Sequence, residues 1–273
     1  MSTPAPRAFL VISLAVLSAA GLACQKSKPP VEAAGEPTGG PTAPAAAPVP
    51  APGAAPESKG PGALGKGSIR GTVHFSGKAP EPKGITTPDP FCARQGIKEE
   101  DLVVGAGGGL KNVLVRVVKG ASGNYPAPAH EAVVDQSGCV YRPRVQAVLA
   151  GQTVSIKNSD QTLHNVHTYK GASTVFNQAQ IPGMGPMTKA FTDGGQIIKF
   201  KCDVHPWMTG YVAVATNPFF AVSGADGTFA IEKLPAGTYT VEAWHERLGT
   251  RTVADVAVTE GQPGQAAFDF AAP

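Results

Sequence analysis

Phe200-Lys201-Cys202-Asp203-Val204-His205-Pro206-Trp207-Met208-Thr209-Gly210-Tyr211 is the stretch on which the reading of this chain turns. Ahead of it Ile198 and Phe200 fall on one face of an alternating run. That is the period of a β-strand, so a strand delivers the Cys202 thiol to the end of a sheet. The tight loop that follows places an imidazole at His205 and a thioether at Met208. Soft thiolate, imidazole and weak axial thioether suit copper passing between two oxidation states in a compromise geometry. Such a set needs a second imidazole.

Upstream, Thr153 to Lys157 reads as another alternating strand and runs into Asn158-Ser159-Asp160-Gln161-Thr162-Leu163-His164-Asn165-Val166-His167. In a sandwich this loop lies at the same end as the Cys202 loop. His164 then completes a plane of two imidazoles and a thiolate, with Met208 above it. His167 points to the opposite face if the chain there is extended, and reads as a packing or surface residue. Met184 and Met187 flank a Pro/Gly-rich loop and read as loop packing rather than as ligands.

The Cys-x2-His-Pro-x-Met loop and the His-Asn-Val-His run resemble the cupredoxins, the blue copper proteins of the amicyanin and plastocyanin type, over residues 131–216. The resemblance implies a Greek-key β-sandwich holding one type 1 copper ion, with His164, Cys202 and His205 in the plane and Met208 on the axis. It also implies that Asn165 joins the two ligand loops and steadies the thiolate. One-electron transfer follows, with no catalysis, and with His205, Pro206 and Trp207 as an exposed loop on which a cytochrome or a dehydrogenase docks. Two departures stand: Lys201 precedes the cysteine, and the strands before Val133 do not align readily. A multicopper enzyme is disfavoured because Cys202 is flanked by Lys201 and Asp203, not histidines, and no second His-rich cluster exists.

From Gly67 onward the chain reads as all β, in short runs such as Gly71 to Phe75, Val113 to Val118 and Tyr211 to Val214, separated by Gly, Asp and Asn turns. After Phe219 the pattern changes to Asp226-Gly227-Thr228-Phe229-Ala230-Ile231 and Leu234-Pro235-Ala236-Gly237-Thr238-Tyr239-Thr240-Val241. This resembles the second half of a carboxypeptidase-regulatory-like or transthyretin-like β-sandwich, a smaller domain over 217–273. That fold's first strands resemble Ser68 to Val73 and Leu110 to Val118. The β-rich segment 67–130 is therefore a candidate first part of the same sandwich, with the copper domain inserted. Trp244 and Tyr239 are expected in its core, and His74, His130 and His245 read as ordinary sheet or loop histidines.

Residues 1–24 have the layout of an export signal: Arg7, an apolar run from Ala8 to Leu17 too short to span a bilayer, then small residues. Leu22-Ala23-Cys24 resembles a bacterial lipobox, which implies acylation of Cys24. Gln25 then points to a lipid-anchored place in the cell envelope, at the outer membrane, periplasmic or surface-facing. Residues 25–66 are rich in Pro, Ala and Gly, too poor in large apolar groups to offset their ordering entropy. They read as a disordered tether that, at about 3.1 Å per residue, reaches on the order of 100 Å.

Of four cysteines, Cys92 and Cys139 remain once Cys24 is acylated and Cys202 binds metal. In an oxidising compartment they are expected to pair, with two unrelated buried thiols as the other reading. A net charge of +3 spread along the chain, without a Lys/Arg cluster, argues against nucleic acid. The rival function is a surface lipoprotein that binds copper, carbohydrate or envelope components without a redox role. Copper-transfer sites commonly expose Met and His, whereas a buried thiolate favours retention.

Overall fold

The computed structural model describes residues 60–272. The signal, Cys24 and the tether up to residue 59 lie outside the described residues, whereas residues 60–66, read as the end of the disordered tether, are held to the fold by Gly62 N–H on the Asn124 carbonyl and Gly65 N–H on the Lys233 carbonyl, each at 2.8 Å. The fold is all β, with two short 3-10 turns and no α-helix among the described residues. In chain order the first strands are β1 (Gly67–Ser76), β2 (Leu114–Lys119), β3 (Ala132–Gln136), β4 (Tyr141–Arg142), β5 (Val145–Leu149) and β6 (Thr153–Asn158). Next come β7 (His164–Lys170), β8 (Ser173–Gln180), β9 (Met187–Ala190), β10 (Ile197–Lys201) and β11 (Thr209–Ala215). The last are β12 (Phe220–Val222), β13 (Thr228–Leu234), β14 (Gly237–His245), β15 (Gly249–Val258) and β16 (Gly264–Ala271).

Two sandwiches result. The first packs sheet β13-β1-β16 against sheet β12-β2-β14-β15. Its core joins Ile69, Val73 and Phe75 of β1 and Phe268 and Phe270 of β16 to Val115, Val117, Tyr239, Val241 and Ala243 opposite. β1 and β16 run parallel, with Ile69 beside Gly264 and Phe75 beside Phe270. They approach so closely that a Cβ at Gly71 would collide with the Ala266 carbonyl oxygen, which is why a glycine interrupts this strand. The second sandwich packs sheet β5-β11-β10-β7-β8 against sheet β4-β3-β6-β9. Val134, Ile156, Val166, Ile198, Phe200, Val212 and Val214 meet in its core. All nine of its strands fall between β2 and β12 in the chain, and β2 pairs directly with β12 and β14.

The outer faces of two sheets also pack on one another. Leu114, Val145 and Ala213 are buried there, lined by Tyr211, Phe220 and Trp244. Trp244 thus departs from its expected place inside the C-terminal sandwich. Tyr239, Val241 and Ala243 take the inward face of β14, so the alternating pleat turns Trp244 outward, edge-on to Tyr211 with ring centroids 5.1 Å apart. Beside this apolar seam Arg144, just before β5, forms a two-pronged ion pair with Glu246, just after β14, at 2.5 and 2.8 Å, and both side chains are 7 % exposed.

His245 ends β14 fully within the fold, and its Nδ1 accepts the Arg247 main-chain N–H at 3.2 Å. Burial, then the charges of Arg144 and Arg247, push its imidazole down to about 4, with Asp101 acting in the opposite sense. The unfolded chain takes up this proton near the ordinary value of about 6.5, so the unfolded state gains protons first as the pH falls. This group's contribution is therefore intact above pH 7 and declines by roughly 2 kcal/mol by pH 5. Urea unfolding at both pH values should show that decline in the native chain and a smaller one in His245→Gln; equal declines would remove His245 from the account.

Candidate metal centre

The site forms where β10 stops and β7 starts. β10 pairs with β7 through Lys201 opposite His167, and with β11 through Lys201 opposite Thr209. This register sets the loop of residues 202–208 across the first residues of β7. The loop is tied within itself: Cys202 N–H donates to the Met208 carbonyl at 3.3 Å, and Met208 N–H donates to the His205 carbonyl at 2.9 Å. The buried Tyr141 hydroxyl braces both arms, donating to the carbonyls of Lys201 at 2.9 Å and Asn165 at 3.2 Å.

His164, Cys202 and His205 come together, each offering a donor atom within 4.8 Å of the others. Their exposures are 0, 1 and 2 %, and Met208 is at 0 % in the core cluster that includes Cys202. The Nδ1 atoms of His164 and His205 stand 2.9 Å apart, and the Cys202 sulfur lies 3.8 Å from Nδ1 of His205. The outer nitrogens explain this arrangement. Nε2 of His164 faces the Asp160 carboxylate at 2.9 Å, and Nε2 of His205 faces Asp89 at 3.4 Å and the Cys92 sulfur at 3.7 Å. Carboxylates accept hydrogen bonds, so these contacts favour the hydrogen on the outer nitrogen of each ring, more strongly at His164 than at His205. With that tautomer both inner nitrogens turn lone pairs towards one spot, where a cation, a proton or a metal ion, is accommodated.

The electrostatics agree. Burial pushes the Cys202 thiol up, but His164 and the main chain of Asn165, His205 and Val204 pull it below the ordinary thiol value, favouring thiolate. Burial drives His164 down, yet Asp160 and Cys202 raise it above the usual range. Burial, then the charge on His164, depresses His205. Two imidazoles, a thiolate-prone sulfur and a buried thioether form a donor set that fits copper.

Asn165 clasps the two loops. Its Oδ1 accepts the Asp203 N–H at 2.6 Å and stands 3.4 Å from the Cys202 sulfur, while its own N–H points at that sulfur from 3.5 Å. Its Nδ2 donates to Asn177 at 2.7 Å and to the Asp203 carboxylate at 3.0 Å. His167 lies outside the donor cluster and is more than filler: its Nδ1 meets Asp203 at 3.1 Å and its Nε2 meets the Thr174 hydroxyl at 2.9 Å. Met184 is exposed, and Met187 begins β9 opposite Ile156.

Cys92 and Cys139 form a disulfide. The His205 edge departs from its expected exposure: the imidazole is 2 % exposed, with the Cys92 sulfur 3.7 Å from its Nε2. Pro206 is exposed, whereas Trp207 is partly buried, with its indole N–H donating to the Cys139 carbonyl at 2.9 Å and its ring 5.0 Å from that of His205. Asp89 and Asp160 were invisible as site residues in the sequence. Asp160 sits four residues before His164, a spacing any turn shares, and Asp89 is brought in from another part of the chain.

The described chain is therefore an all-β protein of two sandwiches, one of which buries a His, His, Cys cluster. Residues 211–271 match the carboxypeptidase regulatory-like domain. That span opens with most of β11, which belongs to the five-stranded sheet of the other sandwich. No curated protein matches the chain. Among solved structures, a purple cupredoxin from Nitrosopumilus maritimus is 24% identical, covering 31% of this chain and 99% of its own, with a TM-score of 0.28. A reduced Cu(I) form of an amicyanin variant is 27% identical over 32% of this chain and 84% of its own, at 0.29. A copper-containing nitrite reductase from Thermus scotoductus SA-01 is 22% identical over 37% of this chain and 25% of its own, at 0.30.

Proposed function

We propose that this chain is an exported electron carrier with one type 1 copper ion, held by His164, Cys202 and His205 with Met208 as the axial ligand. The observation that carries the reading is the convergence of two imidazole nitrogens and the Cys202 sulfur in a site nearly closed to solvent. When bound, copper supplies a one-electron couple between Cu(I) and Cu(II). The protein's part is to keep its donors still. Asn165 fixes the Cys202 loop, Tyr141 fixes the strands on either side, and Asp160 fixes the His164 ring. Donors that are held in place need little rearrangement when the charge at their centre changes by one. Their burial also argues against an enzyme, because a substrate has no approach to them. A cavity of about 840 Å³ lies elsewhere, lined by Tyr125, Phe219 and Phe220 and by none of the donors.

In this reading Cys24 carries the lipid that holds the chain in the bacterial envelope, and the tether gives the carrier reach. The partner is a redox protein, a cytochrome or a dehydrogenase, docking over Pro206 and Trp207, whose indole connects the surface to His205. Voltammetry of the copper-loaded chain should give a reversible one-electron couple with copper retained through many cycles. Copper lost on reduction would replace the carrier with a delivery protein. Met208→Leu should keep the thiolate band, shifted, and raise the potential, because the axial ligand tunes it. An unchanged potential would remove Met208 from the ligand set.

A further inference from the structure

The ring of side chains around the outer nitrogens has a connectivity of its own. Asp160 accepts the main-chain N–H groups of Gly138 and Cys139, each at 2.7 Å, besides facing His164. Cys139 is bonded to Cys92, and the Cys92 and Phe91 N–H groups both donate to Asp89 at 2.8 Å. The second oxygen of Asp89 accepts the Thr162 hydroxyl at 2.6 Å and faces His205. Ile85, Phe91 and Ile97 pack this segment onto the core of the metal-bearing sandwich. Asp89 and Asp160 thus stand at the two ends of one chain of contacts, with the disulfide in its middle. A carboxylate accepting from the outer nitrogen of a ligand histidine fixes which nitrogen faces the metal and strengthens it as a donor.

We propose that the disulfide-held segment from Asp89 to Cys92 is a positioning strap for the metal centre: Asp89 fixes the outer nitrogen of His205, and the strap closes the edge of that imidazole to solvent. The inference deepens the electron-carrier reading and, for its copper readout, rests on it. Asp89 is a positioning residue, since it acts through His205. The bond between the two cysteines keeps the carboxylate in register with the ring. With this edge shut, the indole of Trp207 is the route by which a docked protein reaches His205, and small chelators are kept from the metal.

Asp89→Asn isolates the contact. An asparagine oxygen still accepts the N–H groups of Phe91 and Cys92, whereas its amide nitrogen presents a donor to Nε2–H of His205. Cys92→Ser combined with Cys139→Ser frees the strap by a second route. In the full chain without metal, nitrogen-15 NMR should place the hydrogen of His205 on Nε2 and show it exchanging slowly with water. Exchange should quicken at least tenfold in Asp89→Asn. Copper loaded into the chain should leave to EDTA about 10- to 100-fold faster in both variants, the loss that outer partners of metal ligands typically cause. If the double variant does not fold, Asp89→Asn carries the test alone. A hydrogen on Nδ1 of His205, or exchange and extraction rates equal to those of the native chain, would overturn the strap. A native chain that binds copper without a thiolate band would instead defeat the carrier reading, and the metal-free NMR result would still decide the strap.

Discussion

If the proposed copper centre is right, Cys202→Ser should abolish the intense visible band expected of the copper-loaded chain and weaken copper binding by more than the 10- to 100-fold that loss of an outer partner costs. The sulfur occupies a site fitted to a thiolate: buried at the end of β10, 3.5 Å from the Asn165 main-chain nitrogen and 3.8 Å from Nδ1 of His205. A serine hydroxyl does not ionise there and is a hard oxygen where a soft donor is needed. The fold itself should persist, since the strand register and the loop's main-chain bonds do not use the sulfur. Absorbance during a Cu(II) titration, with near-ultraviolet circular dichroism to confirm folding, checks this. A serine variant that keeps the band would remove Cys202 from the site.

Arg144→Ala destabilises the chain by about 3–5 kcal/mol, the cost of leaving one partner of a buried ion pair uncompensated. Glu246 is then left almost fully buried beside the Tyr211 and Trp244 seam, with its two-pronged partner gone. The hydrogen bond from Arg144 to the Thr209 carbonyl is lost as well, so the loosening reaches the first residue of β11. Replacing the pair together, Arg144→Met with Glu246→Leu, should restore most of the loss, because an apolar pair of similar volume avoids the desolvation that the charges carry. Urea unfolding of the three variants decides it. A loss below about 1 kcal/mol in Arg144→Ala would mean that the pair behaves like an exposed one.

The parts of this molecule that sequence conveys are those written in local spacing. Alternation marks β10 and β6, and the loop from Cys202 to Met208 carries three chemically distinct donors at short intervals. His164 follows a strand in the same way. The pairing of β1 with β16 is not local: it joins opposite ends of the described chain, and only the resemblance of Ser68 to Val73 and of the segment after Phe219 to parts of one sandwich hints at it. Trp244 is ambiguous for a related reason. Both faces of β14 are covered, so the alternation that sorts core from solvent on a half-exposed strand has nothing to sort against. The burial of His205 is least legible of all. The side chains against its outer edge come from a segment more than a hundred residues upstream that carries the Cys92–Cys139 disulfide, and nothing near His205 announces it.

Electron paramagnetic resonance and visible absorption of the full chain loaded with one equivalent of Cu(II) decide whether His164, Cys202, His205 and Met208 form a type 1 copper centre. One ion per chain, an intense thiolate-to-copper band and the narrow hyperfine splitting of a type 1 site are expected. A pale, weakly absorbing type 2 spectrum, or copper bound without fixed stoichiometry, would contradict that assignment and leave the surface-binding lipoprotein as the better reading.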